Sequence, residues 1–75
     1  MKATITGKTI SGNYIGQPRR SCKRIDVPTS ERVEVELDGR TYQRTVHERR
    51  VWRNMGEATV EARFVTIGGT NYEVR

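Results

Sequence analysis

The chain has little of what small proteins use to brace themselves or to do chemistry. It carries one cysteine, Cys22, and one histidine, His47, in 75 residues. A disulfide framework needs cysteines in pairs and a structural zinc site needs four Cys or His ligands, so neither brace can be built. No metal and no cofactor are expected. A lone thiol fits a reducing compartment, where cysteines stay free. No apolar run nears the ~20 residues that cross a bilayer. The start, Met1-Lys2-Ala3-Thr4-Ile5-Thr6-Gly7, has no apolar stretch of the kind a signal peptide needs. The expected compartment is the cytoplasm, with no membrane partner.

Catalytic constellations are missing too. A nucleophilic enzyme needs a nucleophile, a base and a group that orients the base. The only imidazole, His47, lies among arginines, and no serine or cysteine is paired with it by spacing. Glu34 and Glu36 are two residues apart, but they alternate with Val33, Val35 and Leu37. That is how an amphipathic strand is written, so the pair reads as a solvated face. The glycines match neither a P-loop nor a dinucleotide fingerprint. The chain is not expected to be an enzyme.

Length sets the scale of the fold. Seventy-five residues make a single domain, 1–75. A chain this short buries only about 60% of the surface that its unfolded form exposes, so its core is thin. With no disulfide or metal, self-association as a homodimer stays open as a support.

What is present is positive charge and alternation. The net charge is +5, and eleven of the fourteen basic residues are arginine. The guanidinium fork binds phosphate and carboxylate through two bonds at once and stacks on flat rings, which lysine does not do. Arg19-Arg20-Ser21-Cys22-Lys23-Arg24 holds four cations without an acid, and Arg44, Arg49, Arg50 and Arg53 form a second cluster around Trp52.

Apolar residues alternate along most of the chain, the signature of half-buried strands. Lys2–Thr6 reads as a strand closed by Gly7, with a short β piece at Thr9-Ile10. The segment from Gly12 to Arg20 is loop chemistry, and Pro18 excludes a central strand there. Lys23–Val27 resumes as a strand, with Pro28-Thr29-Ser30 as a turn. Glu31–Leu37, the pair Asp38-Gly39 and Arg40–Val46 together predict a type I′ hairpin. Its register sets Leu37 against Arg40 and Val35 against Tyr42. Thr45 to Gly56 is ambiguous. The spacing Thr45-x-x-Glu48 resembles a capping box, yet a continued strand turning at Arg53–Gly56 is slightly favoured. Glu57–Ile67 changes parity between Phe64 and Val65, the mark of a β-bulge. Gly68-Gly69 then turns into Thr70–Arg75, setting Val65 against Tyr72.

The pattern predicts an all-β fold with room for one short helix near residues 46–54. The expected architecture is a small antiparallel barrel of five or six strands, SH3-like or OB-like in size. The expected function is a non-enzymatic binding module that contacts nucleic-acid phosphates through Arg19, Arg20, Lys23, Arg24, Arg44, Arg49, Arg50 and Arg53. Tyr14 and Trp52 are candidate stacking platforms, although for Trp52 beside Val51 a core position is the favoured reading. The alternative is a small protein-binding inhibitor or adaptor, of the kind phages and plasmids carry, docking the same cations on an acidic partner surface. Neither DNA nor RNA is singled out, because no recognition helix or RNP motif is visible.

Overall fold

The structure is a computed structural model, and it describes residues 2–15, 23–52 and 57–75. Five strands make one sheet: β1 (Ile5–Ile10), β2 (Arg24–Leu37), β3 (Arg40–Trp52), β4 (Ala58–Ile67) and β5 (Thr70–Val74). Their spatial order is β1-β5-β4-β3-β2, with every ladder antiparallel. β2 to β5 form a meander, and β1 adds to the free side of β5.

Among the described residues there is no helix, which corrects the allowance for one near residues 46–54. β3 runs unbroken to Trp52. Residues 47–51 pair with β2 on one side and with β4 on the other. A helix there would forfeit both ladders, so tertiary pairing overrides the local capping pattern. The expected turn at Arg53–Gly56 lies outside the described residues.

Both predicted hairpins form in the predicted register, with Leu37 opposite Arg40, Val35 opposite Tyr42 and Val65 opposite Tyr72. Asp38 and Gly39 have φ of 53° and 77°, as a type I′ turn requires. A β-branched side chain at the second of these positions is strained. Gly39→Val should therefore cost about 1–2 kcal/mol, read as a lower urea midpoint at unchanged slope.

Elsewhere bulges replace expected turns. β1 passes through Gly7, whose φ of 94° sits where the register to β5 slips. The two short pieces foreseen there are thus one bulged strand. β2 likewise continues through Thr29-Ser30. Pro28 faces His47 and Arg32 faces Thr45, so residues 29–31 stand opposite Val46 alone. The Thr29 hydroxyl donates to the Val46 carbonyl at 2.7 Å and accepts from the Glu31 amide at 3.1 Å. It restores a ladder bond that the bulge removes. Pro28 is tolerated because its nitrogen shares the parity of the Asp26 amide, which points away from β3 towards the Tyr14 carbonyl at 2.7 Å.

In β4 the slip lies at Glu61, because Val60 and Ala62 face the consecutive residues Arg50 and Arg49. It was expected between Phe64 and Val65. These two neighbours point to opposite faces and both are buried. The sheet is covered on both sides at that point.

One face carries the main core: Val33, Val35, Val46, Val65, Ile67 and Val74, packed against Ala3, Ile5, Leu37, Tyr42 and Tyr72. The sheet curls around it, and the chain ahead of β1 reaches β2, where the Ala3 amide donates to the Glu34 carbonyl at 2.9 Å. The ladder does not close into a full barrel. Over the opposite face, Ser11–Tyr14 runs as a strap from β5 to β2.

Candidate nucleic-acid interface

The strap face shows why alternation alone misreads the second basic cluster. His47, Arg49 and Val51 share one face of β3, and Arg49 stands directly opposite Asp26 of β2. The Arg49 guanidinium grips both Asp26 carboxylate oxygens, with Nε to Oδ1 at 2.8 Å and Nη2 to Oδ2 at 3.1 Å. It also donates to the Ser11 carbonyl at 2.9 Å and the Gly12 carbonyl at 2.8 Å. The two side chains are only 7% and 8% exposed. The Asp26 hydrogen bond holds the Arg49 pKa above its usual value, and burial lowers it by less.

Tyr14 lies on this face as well. Its ring centroid is 4.7 Å from the Arg49 guanidinium carbon, and its amide donates to Asp26 Oδ2 at 3.1 Å. Phe64 flanks Arg49 at 5.7 Å and stacks on His47 with centroids 5.6 Å apart. Asn71 fastens the strap to β5 by donating to the Gly12 carbonyl at 3.3 Å. Among the expected contact residues, Arg49 and Tyr14 are therefore spent on the fold. Among the described residues, no buried side-chain polar atom lacks a partner, and no group of His, Cys, Asp or Glu is placed to hold a metal.

The other face of the same strands is different. Register sets Ile25, Arg50 and Val60 in one row across β2, β3 and β4, and Val27, Glu48 and Arg63 in the next. At the end of the sheet Trp52 faces Ala58, and its amide donates to the Lys23 carbonyl at 2.9 Å. The two basic segments are thus joined strand to strand: Arg24 opposes Val51 and Ile25 opposes Arg50. Arg50 is exposed, Val60 is half-exposed, and Trp52 is partly buried. Trp52 lies outside the main core cluster.

Arg50 and Arg63 lie on this face, and Arg24, opposite Val51, lies at the same end of the sheet on the strap face; all three have carboxylate partners. Arg24 meets Glu61 at 2.8 Å with both side chains over 40% exposed. Arg50 meets Glu48 at 3.0 Å, and Arg63 pairs with Glu31. Exposed pairs of this kind contribute about 0–1 kcal/mol each, so exchanging carboxylate for phosphate costs little.

Arg44 is not part of this group. It lies six residues from Arg50 on β3, about 20 Å along the strand, stacked over Tyr42 at 5.1 Å and bonded to the Thr66 and Gln43 carbonyls. Arg19, Arg20 and Arg53 lie outside the described residues. Sequence reasoning missed Ile25, Val60 and Arg63. Their signal was the odd-numbered run from Lys23 to Val27 read against the even-numbered run from Glu48 to Trp52, visible only once the β2–β3 register is known.

No family model, curated protein or solved structure matches the chain. Among the described residues, no helix is long and apolar enough to cross a membrane.

Proposed function

We propose that this chain is a non-enzymatic binding module that contacts nucleic-acid phosphates through the basic end of its sheet. The observation that carries the reading is the joining of the two basic segments, which puts Lys23 and Arg50 on one face of adjacent strand ends beside Trp52, with Arg24 at the same edge on the opposite face. The scaffold is taken as an open barrel of SH3-like or OB-like size, in which a curled sheet leaves one patch of strand surface available to a ligand. Phosphate contacts suit these residues because guanidinium forks re-pair readily and the carboxylates now holding them are on the surface.

Salt dependence tests the assignment. Each cation that neutralises a phosphate changes the slope of log K against log salt by about 0.7 for a single strand or 0.9 for a duplex. The triple variant Lys23→Gln, Arg24→Gln, Arg50→Gln should flatten the slope by about 2 units on a single strand and about 3 on a duplex, with the circular dichroism spectrum unchanged. An unchanged slope in a folded variant would move the assignment to an acidic protein partner engaging the same cations.

A further inference from the structure

Resting on the phosphate-binding reading, we infer that the ligand is a single strand, laid across β2, β3 and β4 on the face that carries Arg50, beyond the main core, with one base stacked on Trp52. The face alternates cations with apolar groups. Lys23 adjoins Trp52 and Ala58 in the terminal row, and Arg50 lies between Ile25 and Val60 in the next. A duplex hides its base faces and presents phosphate and hydrated groove, so it would leave Trp52, Ile25 and Val60 without apolar contact. A single strand presents phosphates and unstacked rings together, which is the chemistry this interleaving matches.

Charge density argues in the same direction. Glu48 and Glu31 stay close to Arg50 and Arg63 whatever the ligand. A duplex carries one negative charge per ~1.7 Å of axis and meets those carboxylates with strong repulsion. A single strand is less dense in charge and flexible enough to seat its phosphates on the cations alone. The patch is three strands wide, about 10 Å between the outer two, so it accommodates two or three nucleotides. Readout is by stacking and backbone contact, and little base specificity is expected.

The test uses the whole chain with fluorescently labelled twelve-residue oligothymidylate, oligoadenylate and a mixed-sequence twelve-base-pair duplex, followed by anisotropy at low salt. Both single strands should bind at least ten-fold more tightly than the duplex. Trp52→Leu, which keeps apolar bulk without the indole, should weaken single-strand binding by about 5- to 150-fold, the worth of one stacked base, and Trp52→Phe should restore much of it. Val60→Glu alters a half-exposed position on the same face, tolerable to the fold, and should weaken single strands ten-fold or more. It keeps the inference testable if Trp52→Leu does not fold. Equal affinity for duplex, with Trp52→Leu and Val60→Glu both silent, overturns the single-strand inference and leaves phosphate binding standing. Binding of neither form overturns both.

Discussion

Arg49→Met should destabilise the domain by about 3–5 kcal/mol, since removing one partner of a buried ion pair leaves the other charge uncompensated. Asp26 would keep its carboxylate in a setting where its side chain is 8% exposed. The Ser11 carbonyl would lose its Arg49 donor as well, and the Gly12 carbonyl would keep only Asn71. A 75-residue domain has roughly 4–11 kcal/mol in all, so the variant should be partly unfolded at room temperature. Asp26→Leu combined with Arg49→Met should be more stable than Arg49→Met alone, because a matched apolar pair removes the stranded charge. Urea unfolding of both variants measures this. A loss under about 1 kcal/mol for Arg49→Met would show that the pair is dispensable and that the strap is held by its other contacts.

Phe64→Ala is the second substitution with a large expected effect, about 3–5 kcal/mol. Phe64 is 2% exposed, and its ring supports both the His47 imidazole and the Arg49 guanidinium. Truncation opens a cavity beneath the Arg49–Asp26 pair, whose guanidinium also holds the strap carbonyls of Ser11 and Gly12. The surrounding strands are fixed by ladders on both sides and cannot collapse into it. Because Phe64 and Arg49 touch, their effects should not add. A double-mutant cycle is expected to give a coupling of about 0.5–3 kcal/mol. Thermal unfolding of the four proteins gives the cycle, and strict additivity would mean that the ring and the guanidinium act separately.

The comparison of Arg49 with Arg50 shows how far a sequence can be read. Both stand in one basic run, yet one is buried against Asp26 and the other is exposed beside Glu48. Alternation predicts that neighbours face opposite ways, but it cannot say which face is inside when the inward residue is charged. The partner decides that, and Asp26 lies 23 positions away. Tyr14 is a similar case. The sequence offers its ring as a platform for a base, and the ring stacks on Arg49 because the strap carries it across the sheet.

The β class, the two hairpins and their registers, down to Leu37 against Arg40 and Val65 against Tyr72, are legible in the residues alone. These depend on local chemistry: alternation with a period of two, and turn residues that accept positive φ. Only the pairing of distant strands showed that Gly7 and Thr29 mark bulges inside strands rather than ends of strands, moved the β4 bulge to Glu61, and chose strand over helix for residues 45–52. It also sorted the arginines into structural and surface groups. The physical reason is common to all of these. A bulge, an extended strand or a buried ion pair is stabilised by partners on other strands, and no local pattern encodes where those partners will be.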